Sequence, residues 1–384
     1  MVERVPLAWL QLTHEKLRLV AAVAGIAFAV VLILMQIGFQ QALANSGSLV
    51  QSALRGDIFL TSRQYEDLLS SKEFSKRRLY QALAFDEVAS VWPVYTGMAQ
   101  WKNPEDLLER AILVIGADPA AGVIRVPAGQ DPGRLVLPDK ALFDASSRTE
   151  FGPIADIVRR KGSLETEVNG RKIQVIGLYQ LGTSMFGINA TMLTSDLNFL
   201  RIFPHHSQDL VEIGVIRLKP SANRNKVRDA LVSSLPRDVN IETQEAFAAR
   251  ERNYWTSHTG VGYIFSLGMF MGFVVGAVIV YQILYTDVND HLSEYATLKA
   301  VGYEHSYLAS LVLKESLLLA IFGFLPGLAI AKVLYIITAR ATRLPMDMTP
   351  QRMGLVLVAT LVMCSLSALL AIGKLRQADP ADIF

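Results

Sequence analysis

GVGYIFSLGMFMGFVVGAVIVYQILY, residues 260–285, is the stretch on which the architecture turns. Between Arg252 and Asp287 there is no Asp, Glu, Lys or Arg, and a helix needs only ~20 apolar residues to cross ~30 Å of hydrocarbon. Three further stretches have the same character. Residues 19–43 and 353–373 carry no charge, and residues 311–337 are charged only at Lys314, Glu315 and Lys332, near the ends, where long side chains snorkel to the interface. One stretch lies near the start, three lie in the last third, and a polar block separates them. The pattern predicts an α+β membrane protein with four transmembrane helices, one N-terminal and three C-terminal, and a large mixed α/β two-lobed extracytoplasmic domain between helices 1 and 2.

With 51% hydrophobic residues among 384, the chain is too apolar for a soluble protein and too polar to lie wholly in a bilayer. Its formal charge is +2, and residues 44–255 hold 26 Lys and Arg against 25 Asp and Glu. No basic footprint for nucleic acid exists, which excludes that partner class. The one cysteine, Cys364, falls inside the fourth stretch, so an intrachain disulfide and a cysteine metal cluster are excluded. Ahead of the first span, Pro6, Leu7, Trp9, Leu10, Leu12 and Leu17 alternate with Gln11, His14, Glu15, Lys16 and Arg18. This suits an amphipathic helix over residues 1–18 lying against membrane lipid; the alternative is an extension of the first span. The run that follows is far longer than the apolar core of a signal peptide, so it is expected to be retained.

Four spans put both termini on one side. Arg4, Lys16 and Arg18 before the first span, with Lys374 and Arg376 after the fourth, favour cytoplasmic termini, although Arg340, Arg343 and Arg352 oppose this. The resulting expectation is a plasma (inner) membrane protein with residues 44–255 periplasmic, spans at 19–43, 256–285, 309–338 and 353–373, a cytoplasmic loop at 286–308, a short outer loop at 339–352 and a cytoplasmic tail at 374–384.

Within the outer block, strand-like patterns recur at 57–61, 88–95, 111–116, 163–168, 172–179, 210–218 and 239–243. Helical spacing is expected at 65–84 and 223–234, with a short helix at 137–143. Asn169-Gly170 marks a hairpin turn. The Gly- and Pro-rich stretch 117–139 reads as a joint, so a middle lobe at about 117–208 is inserted into the other. Residues 245–255 are helical in character and are expected to continue as an unbroken stalk into the second span.

No G-x-x-x-x-G-K-[ST] loop, G-x-S-x-G elbow or H-E-x-x-H pair occurs, so the sequence offers no nucleotide cradle, nucleophile or zinc helix. His205 and His206 are adjacent and point differently; with no obvious third ligand they read as a solvated loop. In the second span Gly268, Gly272 and Gly276 repeat every four residues, and Gly323 and Gly327 repeat the spacing in the third beside Pro326. Such repeats let a neighbouring helix backbone approach closely, between subunits or within one. Gln36, Gln40 and Gln282 at membrane depth are expected to face protein or water, and Lys332 to snorkel.

The inner loop reads DVNDHLSEYATLKAVGY from Asp287 to Tyr303. Leu292, Tyr295, Ala296 and Leu298 form a small apolar face beside Glu294, Thr297 and Lys299, with Ala300 before Gly302 as a C-cap signal. A short helix offering a knob to a grooved partner is expected.

That loop resembles the segment after the second membrane helix of FtsX-like and MacB-like permeases, and the four-span layout is similar over essentially the full length. The opening PLAWLQL (residues 6–12) and the ending LR (375–376) with ADPADIF (378–384) resemble DevC-type permeases of cyanobacterial exporters. The resemblance implies a homodimer seated on a separate ABC ATPase subunit. ATP and Mg would be bound by that subunit, and this chain itself would bind no cofactor and would not be an enzyme. Leu292, Glu294, Tyr295, Ala296, Thr297, Leu298, Lys299, Ala300 and Gly302 would form the ATPase-coupling helix, with the tail residues Asp379, Pro380 and Asp382 nearby. A periplasmic membrane-fusion adaptor and a TolC-like outer-membrane channel would complete an exporter of hydrophobic or amphipathic cargo such as a glycolipid. Asp290 and His291 depart from the family pattern, in which basic residues are common. The alternative is an FtsX-like signalling subunit that activates a periplasmic cell-wall hydrolase.

Overall fold

The computed structural model describes residues 16–124, 126, 131–184, 187–342, 344 and 346–375. The expected amphipathic segment, up to residue 15, and the tail with Asp379, Pro380 and Asp382 lie outside them. The helices are α1 (Lys16–Gly47), α2 (Leu49–Ala53), α3 (Arg77–Ala82), α4 (Ile154–Lys161), α5 (Asp196–Ile202), α6 (Arg224–Ser234), α7 (Gln244–Asn253), α8 (Gly260–Asp290), α9 (Leu292–Ala300), α10 (His305–Thr342) and α11 (Pro350–Leu375). The strands are β1 (Ile58–Ser62), β2 (Phe74–Ser75), β3 (Val88–Lys102), β4 (Glu109–Ala117), β5 (Lys140–Asp144), β6 (Leu164–Val168), β7 (Arg171–Tyr179), β8 (Thr191–Thr194), β9 (Leu210–Val211), β10 (Ile213–Leu218) and β11 (Val239–Thr243).

The chain divides into a helical unit and an α/β unit. In the helical unit, α1, α8, α10 and α11 are each long and apolar enough to cross a membrane. In lipid a spanning segment must satisfy its own backbone, which leaves the helix as the conformation open to isolated apolar runs. α10 passes through Pro326 without interruption.

The α/β unit is built on one nine-stranded sheet, in the order β11-β1-β10-β3-β4-β8-β5-β7-β6. Both faces are buried along its central strands. Along β4, Ile112 and Val114 join one core cluster while Leu113 and Ile115 join the other, because successive side chains of a strand point to opposite faces. β1 divides likewise, Ile58 and Leu60 against Phe59. The 15-residue β3 serves two regions: Val88 to Val94 pair with β10, and Val94 to Lys102 pair with β4. Beyond β4 the sheet curls until β6 meets β3 again at Val168 and Trp101. The two expected lobes are thus two regions of a single sheet that share β3. Trp101 is fully buried, tilts against Phe143 with ring centroids 5.1 Å apart and donates from Nε1 to the Phe151 carbonyl at 3.2 Å; its truncation to Ala would cost roughly 3–5 kcal/mol.

Asn169 and Gly170, both at positive φ (50° and 70°), turn the β6–β7 hairpin. Asn169 also accepts the Gln100 N–H at 2.8 Å through Oδ1, pinning the hairpin to β3.

Three local expectations are overturned. Residues 137–143 do not form a helix: β5 occupies Lys140–Asp144, where its apolar run is buried on both faces between β7 and β8. The helical spacing at 65–84 yields only α3, preceded by turns and by the β2–β9 ribbon, since Asp67 caps a turn by accepting the N–H groups of Leu69 and Ser70. The stalk is broken as well. α7 gives way to a π-helical turn at Tyr254–His258, and Thr259 is extended (φ −103°, ψ 147°) before α8 begins at Gly260. Thr256 and Thr259 donate their hydroxyls to the carbonyls of Arg252 and Trp255, side-chain bonds that compete with regular helix geometry.

Candidate coupling helix and helix seams

Both glycine repeats lie within the chain's own helical unit and face α1. A Cβ at Gly268 would come within 2.5 Å of the Gln36 side chain, and one at Gly323 within 2.5 Å of Ile26. At Gly327 it would lie 2.9 Å from the Ala27 carbonyl oxygen, and at Gly276 it would strike Ala29 and Met363. Gly272 is less constrained, with Ile33 at 3.2 Å and Leu32 at 3.3 Å. Close backbone approach is therefore used to seat α8 and α10 on the first span. Polar contacts reinforce these seams: Tyr335 donates to the Leu34 carbonyl at 2.6 Å, Ser367 to the Ala277 carbonyl at 2.8 Å, and Gln40 to Ser266 at 3.1 Å. Lys332 is exposed, and Gln282 lies on the outside of the bundle rather than packed within it.

The loop after α8 forms α9, as its periodicity predicts. Gly302 has φ +105°. Its N–H donates to the Lys299 carbonyl and the Tyr303 N–H to the Leu298 carbonyl, each at 3.1 Å, the paired bonds of a glycine-terminated helix. Glu294, Thr297 and Lys299 are exposed, Leu292 and Leu298 are half-buried, and Val301 is 74% exposed. Tyr295 is buried in its own chain. This corrects the expectation that Tyr295 belongs to the offered face: it anchors α9, and among the described side chains Val301 and Tyr303 are exposed beside half-buried Leu298. Ala296 and Ala300 lie on the same short helix.

Asp290 and His291 are engaged inside the chain. Arg18 Nη1 sits 3.2 Å from Asp287 Oδ1, and Arg18 Nη2 bonds Asp290. His291 Nδ1 lies 3.0 Å from the Asp287 carbonyl. Asp287 and Asp290 thus clamp the end of α8 to Arg18 near the start of α1.

The α/β unit contains a buried polar relay that sequence reading missed. Gln51 Nε2 donates to Tyr65 Oη at 3.0 Å, and Tyr65 donates to Glu251 Oε2 at 3.0 Å. Glu251 Oε1 accepts from the Leu68 N–H at 3.1 Å and from Trp255 Nε1 at 3.3 Å. Burial outweighs these donors and pushes the Glu251 carboxyl up to about 7. Its spacing from Trp255, four residues on one helix face, was the available signal.

His205 and His206 also part company. His205 is exposed, but the His206 ring packs edge-on against Tyr95 and Phe199. The solvated-loop reading fails for His206.

The fold and these seams define a membrane protein with four apolar helices and, between the first and second of them in the chain, a large α/β domain. Residues 266–380 match the family described as FtsX-like permease C-terminal. This segment holds most of α8, all of α9 and α10, and α11. A search of curated proteins gave no match. Among solved structures, the chain is similar to the periplasmic region of MacB from Actinobacillus actinomycetemcomitans, at 9% identity and a TM-score of 0.37, covering 53% of this chain and 96% of that one. It is also similar to the extracellular domain of the noncanonic ABC-type transporter YknZ from Gram-positive bacteria, at 12% identity and a TM-score of 0.33, covering 49% of this chain and 100% of that one. TM-scores of this size do not define a shared fold.

Proposed function

We propose that this chain is the membrane subunit of an ABC exporter of the MacB/DevC type. The observation that carries the reading is the FtsX-like permease match at residues 266–380, which takes in a short helix between two spans that presents half-buried Leu298 with exposed Val301 and Tyr303. In this reading α9 docks in the groove of a separate ATPase subunit, two copies of the permease sit on two ATPases, and ATP-driven closure moves the helices. The spans transmit that motion to the periplasmic α/β domain, which meets an adaptor leading to an outer-membrane channel. The cargo is hydrophobic or amphipathic. Tight seating of α8 and α10 on α1 suits transmission, because close-packed helices pass displacement on rather than absorb it.

Co-purification from mild detergent tests the assembly: recovery of an ATPase and an adaptor supports it, whereas recovery of a peptidoglycan hydrolase in place of the adaptor would transfer the chain to the signalling reading. Leu298→Asp tests the docking surface. It is expected to abolish stimulation of the ATPase in the reconstituted complex while the permease stays folded; unchanged stimulation would remove α9 from the coupling role.

A further inference from the structure

Glu73, His206 and Glu212 come from three places in the chain and meet in the α/β unit. Glu73 directly precedes β2, His206 lies on the loop after α5, and Glu212 stands between β9 and β10. His206 Nε2 is 2.8 Å from Glu212 Oε1 and 3.3 Å from Glu73 Oε1. The donor atoms of all three lie within 4.8 Å of one another.

What else these side chains touch fixes their chemistry. His206 Nδ1 is 2.9 Å from the Ser207 carbonyl, a group that only accepts, so Nδ1 carries a proton and donates it. Tyr95 and Phe199 hold the ring edge-on at centroid separations of 5.5 and 5.6 Å, and the side chain is 9% exposed. The Glu212 side chain is 5% exposed. Its Oε2 accepts the Thr96 N–H at 3.1 Å, leaving Oε1 for the histidine. Nε2 is thus directed at two carboxylate oxygens, which are acceptors when ionised. A proton or a metal cation must stand between them. The outer contacts are those of a metal site, in which a histidine ligand donates its other N–H to a carbonyl and a ligating carboxylate is held by a further hydrogen bond. Glu73, 37% exposed, opens the cluster to solvent. The nearby cation, Lys76, whose Nζ lies 5.0 Å from the Tyr95 ring, is drawn to Asp196 and Asp209.

We propose that Glu73, His206 and Glu212 bind one divalent first-row transition cation through His206 Nε2 and an oxygen of each glutamate, with water completing the coordination. One imidazole and two carboxylates suit Zn2+ and its neighbours, whereas Ca2+ takes oxygen ligands. The cation joins the β2–β9 ribbon to the loop after α5 and, through Thr96, to β3. It does so independently of the exporter reading.

The test uses the full-length protein in detergent, stripped with chelator, desalted and titrated with Co2+ and then Zn2+. One Co2+ per chain is expected, with visible d–d absorption, displacement by Zn2+ and a rise in Tm. Glu73→Gln, at a partly exposed position that folding tolerates, is expected to lower the affinity at least about tenfold, and His206→Gln to do the same. A wild-type chain that takes up no Co2+ at micromolar concentration overturns the proposal and leaves a proton shared between imidazole and carboxylates. Binding left unchanged by Glu73→Gln overturns it too.

Discussion

Arg18, near the start of α1, lies 3.2 Å from Asp287, near the end of α8, across 269 positions of sequence. Both side chains are largely buried, so the pair is shielded more than a surface ion pair. Arg18→Ala leaves Asp287 and Asp290 without their shared cation. A double-mutant cycle over Arg18→Ala and Asp287→Ala, read by unfolding in detergent, is expected to give a coupling energy of about 1 kcal/mol. Strict additivity would show the clamp to be idle.

The glycine seams rank in a definite order. At Gly327 an added methyl meets backbone at 2.9 Å, which cannot rotate away, whereas at Gly272 it meets side-chain atoms of Ile33 and Leu32 at 3.2 and 3.3 Å, which must give by only a few tenths of an ångström. Gly327→Ala is therefore expected to destabilise by roughly 1–3 kcal/mol, and Gly272→Ala by clearly less. Thermal unfolding of the two variants side by side checks the order, and equal losses would contradict it.

Gly302 ends α9 at a φ that side chains resist. Gly302→Ala is expected to cost about 1 kcal/mol, felt locally as fraying of the helix. Hydrogen exchange at the Tyr303 amide, which donates to Leu298, should quicken while the spans remain protected. Unaltered exchange would show that the cap is dispensable.

Glu251 predicts a pH dependence with a fixed sign. Its carboxyl is raised from an ordinary 4.5 to about 7 by burial. Between those values the folded chain holds a proton that the unfolded chain has released, so stability is full at the acidic end and falls as pH rises through about 7. The contribution is on the order of 3 kcal/mol. Unfolding midpoints measured from pH 5 to 8 should decline in the wild type and be flatter in Glu251→Gln; parallel curves would place the titration elsewhere.

Several features were legible in the sequence because a short-range rule governs them. Asn169-Gly170 accepts positive φ twice in succession, so the hairpin could be placed without knowing its partner strands. Residues 137–143 show where such rules stop. The run Leu-Pro-Asp-Lys-Ala-Leu-Phe has no periodicity that separates helix from strand, and only pairing with β7 and β8 made Lys140–Asp144 extended. The break at Thr259 had a signal in Thr256, Ser257, Thr259 and Gly260, residues whose hydroxyls or freedom undercut a helix, but the absence of proline concealed it. His206 could not be assigned from its neighbour His205, because its partners at 73 and 212 are brought to it by strand pairing.

The sequence by itself determined that four segments seek a bilayer and that the block between the first two does not, since removing charge-free runs of this length from water dominates any local preference. It also determined the loop helix and its glycine stop. Only the tertiary structure decided that the glycine repeats face α1, that Asp287 and Asp290 are taken by Arg18, that Tyr295 turns inward, and that Glu73, His206 and Glu212 converge. Those outcomes depend on which surfaces meet after the chain has crossed on itself many times, and burial and pairing between residues far apart in sequence set them.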